Sequence, residues 1–546
     1  MAASQPFGLS CRGGLNTNLN QLEMLGQPGL ATKLRNFEVD PDGGYRRISG
    51  FSQFGDGTRP NSSNDIVGIH VYADGVLACS GTNIYFSQDG DSWLQVNRDS
   101  VASGGDNYST FTGRSALVRT SQDLATFATY EGITDYGEVI ITDKGSATKP
   151  MYFKMTGTGG ALSTRTYFCE EITVSGTEYP KYCVIHDKHL VVAGAATSPN
   201  TIYYSNTLLD SSNNDDLTDF TGTGSGSIVL DDKVVGIKSF RDDLIIFCSN
   251  SIYKLENINI SASITITPIT KNIGCLDGNS IQEIGGDLVF LSPDGIRTVA
   301  GTTRIGDVEL GSVSRQIQSI IGKVAASIDT YRISSTVLRN KSQYRLFYST
   351  ATGAVATSKG IIGTITPNGF EWSETLGIQA HALTSGFDTD GVEQTYHGDK
   401  DGYVYVHDDG NYFTPAGTAT DISAIYQTPD YDFGDVGTRK TLLYTRISFS
   451  PEGAIQPSLR LRYDYEDSNI PQPGDYTLSS IPLPAIFGAS TTTFGTATFG
   501  ATTDPMVRQP VEGSGSTCSF KIFSSDQKSP YAINGFYVDY VPSGRR

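Results

Sequence analysis

A short pattern recurs along this chain: an apolar run, a tight polar turn, then a second run centred on an aromatic or β-branched residue. Asp74-Gly-Val-Leu-Ala-Cys-Ser-Gly81 leads to Asn83-Ile-Tyr-Phe-Ser87, His189-Leu-Val-Val-Ala-Gly194 to Thr201-Ile-Tyr-Tyr-Ser205, and Asp243-Leu-Ile-Ile-Phe-Cys-Ser249 to Ser251-Ile-Tyr-Lys-Leu255. Weaker copies begin at Gly137, Asp287, Tyr344 and Gln394. Their spacing, roughly 45–65 residues, is near the length of one β-propeller blade. Two copies follow almost the same strand, Val67-Gly-Ile-His70 and Val235-Gly-Ile-Lys238. Each unit reads as three or four antiparallel strands with short Gly/Asp/Asn/Ser turns. A sheet that small leaves two faces and two edges unsatisfied. Stacking successive sheets around an axis buries the faces and leaves only short edges. The apolar runs are nearly continuous, as strands buried on both sides require.

The expected fold is therefore all-β: β-propeller-like repeats with a C-terminal β-sandwich. Residues 1–59 read as an extended N-terminal segment joining the propeller, and residues 60–419 as a propeller-like domain of about six or seven blades. Residues 420–546 read as the sandwich, because Asp421–Pro429, Leu442–Phe449, Leu459–Asp464, Cys518–Phe523 and Gly535–Tyr540 alternate inward and outward residues. A Thr/Ala/Gly-rich stretch near 484–510, with Phe-Gly echoes at Phe487, Phe494 and Phe499, reads as an extended loop or arm. One segment breaks the β pattern. Between 311 and 322, Val313, Ile317, Ile320 and Ile321 fall at helical spacing after a Ser cap, predicting a short amphipathic helix. The 60 glycines and 22 prolines argue against longer helices.

The net charge of −18 runs against sequence-independent nucleic-acid binding, which needs a basic footprint, and against an anionic membrane surface. It suits a wall that repels nucleic acid passing beside it. Seven scattered cysteines with no C-x-x-C pair do not form a disulfide framework, and point to assembly in a reducing compartment such as a bacterial cytoplasm. The N-terminus lacks the basic-then-apolar order of a signal peptide. No run approaches the ~18–20 apolar residues that span a bilayer, so membrane insertion of the folded chain is not expected.

No catalytic, cofactor-binding or metal site is expected from the residues. His186 and His189 form H-x-x-H, but beside an apolar β run and without a completing ligand set, which favours a surface turn over a metal. Asp40-Pro-Asp-Gly43 and Asp408-Asp-Gly410 lack the EF-hand ligand order and read as turns. Ser87-Gln-Asp-Gly-Asp-Ser-Trp93 resembles a shortened Asp-box, a structural turn of sialidase-type propellers that supports the fold without implying hydrolysis. A glycosidase needs two placed carboxylates or a Tyr nucleophile with an acid partner, and the sequence selects no such pair. Arg46 and Arg47, with Arg545 and Arg546, read either as solvated charge or as inter-subunit pairing groups.

Two terminal segments carry a family resemblance. Gly29-Leu-Ala-Thr-Lys-Leu-Arg-Asn-Phe-Glu-Val-Asp-Pro-Asp-Gly-Gly-Tyr-Arg-Arg-Ile-Ser-Gly-Phe51 resembles the opening segment of structural tail proteins of tailed phages. Asp432-Phe-Gly434 with Lys440, and the terminal Val538-Asp-Tyr-Val-Pro-Ser-Gly-Arg-Arg546, resemble the same group. With the propeller-like middle, the chain is similar to the tail nozzle (tail tubular or tail-stabilisation) proteins of short-tailed bacteriophages, the podoviruses. The resemblance implies a non-enzymatic structural virion protein that forms a cyclic homo-oligomer, typically a hexamer. Its partners would be a tail adaptor ring protein and tail fibre or needle proteins, with phage DNA passing in transit without specific binding. Two alternatives stand beside it: another virion tail part, such as a baseplate hub or fibre-attachment protein, and a secreted β-propeller lectin or glycosidase.

Overall fold

The computed structural model describes residues 4–545 except 26, 28, 41–42, 98–109, 112–122, 131–136, 145–147, 157–164, 177, 208–214, 261–262, 301–311, 389 and 482–505. Strand makes up 51% of the protein and helix 8%. Six sheets of four or more strands stand around one axis as propeller blades. Blade one runs from Ile66–Tyr72 to Leu94–Gln95, and blade two from Ala125–Tyr130 to Thr166–Glu171 with Thr110–Phe111 parallel at its outer edge. Blade three spans Tyr182–His186 to Gly226–Val229, and blade four Val234–Phe240 to Thr265–Thr270. A narrow three-stranded sheet, Gln282–Ile284 to Gly295–Thr298, is wedged before blade five, Tyr331–Leu338 to Gly369–Leu376. Blade six holds Ala382–Phe387, Glu393–Gly398 and Val404–His407, and takes its fourth strand, Phe51–Gln53, from the N-terminal segment. Its first strand packs beside Ile66–Tyr72, which closes the ring.

Each gap between blades holds its own apolar cluster, which explains the unbroken hydrophobic runs. Along Glu138–Asp143, Val139 and Ile141 pack with Leu77, Ile84 and Phe86 of blade one, while Ile140 packs with Leu190 and Val192 of blade three. His189–Ala193 is buried at every position. Strands sandwiched between two neighbours have no solvent face for alternation to mark. All seven cysteines are buried thiols, and burial pushes Cys11, Cys183, Cys248 and Cys275 up to about 12, where they are poor nucleophiles.

The C-terminal sandwich reads differently. Thr438–Pro451, over most of its length, and Ser458–Tyr463 alternate buried and half-buried residues, as strands with one less covered face do. One of its sheets is continuous with blade five. Lys33–Arg35 bridges them, parallel to Gly369–Leu376 through Arg35 and Glu374, and antiparallel to Ile422–Gln427, beyond which lie Cys518–Asp526 and Ser458–Tyr463. The second sheet joins Phe37–Val39, Tyr45–Arg47, Tyr531–Arg545, Thr438–Pro451 and Met506–Pro510, with Gln5–Ser10 on the flank of Tyr531–Arg545. Tyr45, Tyr426, Tyr531, Phe520 and Trp372 fill the core between them.

The amphipathic segment is helical over Gln318–Ala326, after one tight turn at Arg315–Ile317, and buries Ile317, Ile321 and Val324. Ser314 does not cap it; its Oγ accepts the Ile296 amide at 2.8 Å instead. Residues 484–505 of the Phe-Gly stretch lie outside the described residues, and Met506–Pro510 is a strand paired with Thr438–Pro451. Among the described residues no helix is long and apolar enough to cross a membrane.

Candidate functional site: the axial channel

The innermost strands of the blades converge on a cavity of about 430 Å³. The two near-identical sequences lie on this wall. Both strands are bulged just before their glycine, between Ile66 and Gly68 and between Val234 and Gly236. A Cβ on Gly68 would fall 2.6 Å from the Ala125 Cβ, and one on Gly236 2.5 Å from the Ile281 Cδ1. Glycine thus lets adjacent inner strands approach closely, and a bulge re-aims the side chains that follow. His70 and Lys238, two residues past those glycines, both line the cavity.

Their environments differ. The His70 ring stacks on Phe127 at 5.1 Å, and its Nε2 lies 2.7 Å from the Thr129 Oγ1. Burial pulls the imidazole down to about 4, so it is neutral at pH 7. Lys238 is half-buried and, among the described residues, makes no ion pair or hydrogen bond. Burial lowers its ammonium below the usual range, the more distant Glu283 opposes that, and Arg339 adds to it. The remaining described wall mixes apolar side chains with the neutral polar groups of Asn279, Gln282, Ser334, Ser335, Thr336 and Thr384, and no Asp or Glu is among the described residues on it. Some of these groups are tied back: Ser334 Oγ donates to the Ala380 carbonyl at 2.7 Å, and Gln282 Nε2 to the Ser335 carbonyl at 2.9 Å. His381, fully buried on the same wall, holds its Nδ1 2.9 Å from the Asp65 carboxylate, which also pairs with Arg332. The His381 Nε2 has no hydrogen-bond partner among the described residues.

The residues singled out by sequence fall elsewhere. His186 and His189 flank the hairpin turn of blade three, with Asp187 and Lys188 at positive φ. Both rings are buried, which corrects the surface-turn expectation. His186 Nδ1 meets the Ser239 Oγ at 2.9 Å, while His189 spans the Ser205 carbonyl at 2.7 Å and the Asn259 Oδ1 at 3.0 Å. Among the described residues no cluster of His, Cys, Asp and Glu forms a metal site. The Ser87–Trp93 segment is a turn between the third and fourth strands of blade one: the Gly90 amide donates to Ser87 Oγ at 2.9 Å and the Asp91 amide to Asp89 Oδ1 at 3.0 Å. Trp93 Nε1 donates to the Thr58 carbonyl at 3.0 Å.

Arg46 and Arg47 correct the sequence reading more strongly. Neither is solvated charge, and both are consumed within the chain. Arg46 pairs with Glu38 at 2.7 Å and with Glu452. Arg47 is fully buried and donates to the carbonyls of Asp526 at 2.8 Å and Ser529 at 3.3 Å, and to that of Lys528. Beside them Arg345 bridges Glu38 and Asp408, each at 3.1 Å, and Lys341 joins the same two carboxylates at 3.0 and 3.2 Å. Burial alone would raise the Glu38 carboxyl; Lys341, Arg345 and Arg46 overcome it and hold it below its ordinary value. Asp408, one of the suspected calcium-loop residues, is thus an ion-pair partner. Arg546 and the side chain of Arg545 lie outside the described residues.

No family model matches the chain. No curated protein matches it either. Among solved structures it is similar to the extracellular domain of a putative hybrid two-component system from B. thetaiotaomicron, with 11% identity and a TM-score of 0.33 over 65% of this chain and 39% of that one. It is also similar to an exo-β-1,3-galactanase from Phanerochaete chrysosporium, with 10% identity and a TM-score of 0.25 over 90% and 99% of the two chains. A third is the AfRom2 CNH domain, at 10% identity and a TM-score of 0.35 over 65% and 99%. Likeness at this level carries no argument about what this chain binds or does.

Proposed function

We propose that this chain is a structural virion protein of a tailed phage, one copy of the ring-shaped tail nozzle through which the genome leaves and to which fibres or other tail parts attach. One observation supports this above the others: two of the segments that carry the family resemblance, around 432–440 and 538–546, are direct partners in space, and the third, 29–51, pairs through Tyr45 and Arg46 with Ile533 and Ala532 on the same strand as 538–545. Tyr45–Arg47 pairs with Tyr531–Arg545, which pairs in turn with Thr438–Pro451, and Phe433 packs on both Phe7 and Tyr540 at 5.0 Å. The same N-terminal segment supplies the bridging strand to blade five and the closing strand of blade six. Signatures that act as one unit are harder to attribute to chance than isolated ones.

The physics suits a load-bearing part. A propeller locked to a sandwich through a shared sheet is a rigid body, and rigid identical bodies with heterologous contacts close into a ring when the rotation between them closes. In this reading the protein is a virion component assembled in the host cytoplasm, with the adaptor ring and fibre or needle proteins as neighbours. The excess of 58 acidic over 40 basic residues keeps the lumen from gripping phosphate. A glycosidase would need two carboxylates across a sugar bond, and none is among the described residues of the axial wall.

Cryo-electron imaging of short-tailed particles tests the proposal. The expected result is density for the propeller and sandwich repeated around the tail axis, with an acidic lumen. A basic, phosphate-gripping lumen refutes the charge corollary. A purified chain that releases sugar from a glycan, and is missing from particles, refutes the whole reading.

A further inference from the structure

The channel wall and the junction between propeller and sandwich handle charge in opposite ways. At the junction every named cation has a carboxylate or carbonyl partner. On the axis Lys238 has no hydrogen-bonded or ion-paired partner among the described residues, with only the charge of Glu283 attracting it, although partial burial makes an unmatched ammonium costly. The His381 Nε2 on that wall also lacks a partner among the described residues, but it is enclosed and out of reach of a ligand. A single ammonium without a paired counter-charge at a cavity of about 430 Å³, a volume within the usual range for small-molecule sites, defines a ligand by its complement.

We propose that the axial cavity binds a small hydroxylated carboxylate, the chemistry of a sugar acid, with its carboxylate on Lys238 and its hydroxyls on the Ser/Thr and amide wall. The charge of the ligand follows from the wall. Among the described residues no Asp or Glu lines the cavity, and Asp65, held against His381, is paired with Arg332, so the wall itself offers a cation no counter-charge. The hydroxyls follow from the neutral groups. Thr336 of blade five and Thr384 of blade six present hydroxyls that can both donate and accept, whereas Ser335 Oγ and Asn279 Nδ2 already donate to the Asn279 and Ile333 carbonyls, at 2.5 and 3.1 Å, and leave mainly acceptor atoms. The Phe127 ring, stacked on His70, adds an apolar surface of the kind a sugar ring covers. Polymeric nucleic acid is excluded by volume. The same lack of carboxylates leaves no acid–base pair to cleave a glycosidic bond, so the ligand is held and not turned over. The proposal is independent of the nozzle reading, because the purified full chain suffices to test it.

The test is isothermal titration of the full-length protein at pH 7 with D-glucuronate, D-glucose and acetate. The expected result is saturable one-to-one binding of glucuronate that weakens as salt rises, with glucose and acetate each at least tenfold weaker. Lys238→Gln should lose at least tenfold in glucuronate affinity with its unfolding midpoint unchanged, and Lys238→Arg should retain part of it. Absence of saturable glucuronate binding, glucose or acetate binding as well as glucuronate, or undiminished binding by a folded Lys238→Gln would each overturn the proposal. If Lys238→Gln fails to fold, the comparison of the three probes on the wild-type protein decides alone.

Discussion

The propeller axis and the propeller–sandwich junction are both lined with charged and polar side chains, yet they are built to opposite ends. At the junction Glu38 and Arg345 are each 3% exposed and are saturated by one another, Lys341, Arg46 and Asp408. On the axis Lys238 is half-buried beside neutral hydroxyls and has no ion-pair partner among the described residues. Charge that is fully paired and dry holds two domains in one register. Charge left single at the edge of a cavity is available to something else. The contrast separates residues kept for architecture from those open to a ligand, and it can be attacked at each end.

The largest effect is expected at the junction. Glu38→Gln leaves Arg345, Lys341 and Arg46 to share Asp408 and Glu452, and breaking a buried ion network on one side costs on the order of 3–5 kcal/mol. Chemical denaturation should show that loss in the midpoint; a change below 1 kcal/mol would mean the network does not hold the junction. A smaller loss, about 1–3 kcal/mol, is expected for Gly68→Ala, because the new methyl meets the Ala125 Cβ at 2.6 Å on the crowded inner wall.

Acid should weaken both regions. The folded-state values of His70 on the axis, at about 4, and of His407 near the junction, at about 3, lie below the ordinary 6.5 of an imidazole. Burial is the main cause in each, with Arg345 reinforcing it at His407. His397, whose ring centroid lies 4.4 Å from that of His407, is also held well below its usual value by burial. Between those values the unfolded chain binds more protons than the folded one. Stability from these groups is therefore complete above about pH 6.5 and falls as pH drops toward 4 and below. A thermal midpoint that stays level from pH 7 to pH 4 would contradict it. The smallest effect on stability is Lys238→Gln, expected within ~0.5 kcal/mol because no pairing is lost.

Much of the propeller was legible because its physics is local. Apolar runs such as His189–Ala193, punctuated by tight turns, state their own burial on both faces. The alternation in Thr438–Pro451 likewise marked the sandwich. The seam was not legible. Lys33–Arg35, Phe37–Val39, Tyr45–Arg47 and Phe51–Gln53 are three residues each, and most of their partners lie hundreds of positions away. For much the same reason Arg46 and Arg47 read as solvated or inter-subunit charge: apart from Glu38, the carbonyls and carboxylate that consume them lie near residues 452 and 526–529. The axial site left a readable trace, the repeated Val-Gly-Ile followed by His70 or Lys238. Recognising it as a site required knowing that both strands are innermost and bulged.

The most direct measurement remains the position of this chain in a tailed particle. Averaged electron images should place propeller and sandwich as one rigid unit repeated around the tail axis, with the segments 29–51 and 538–546 together in each copy. Images of tails in which no such unit occurs, or in which propeller and sandwich move independently, would contradict the reading of the chain as a rigid ring-forming part.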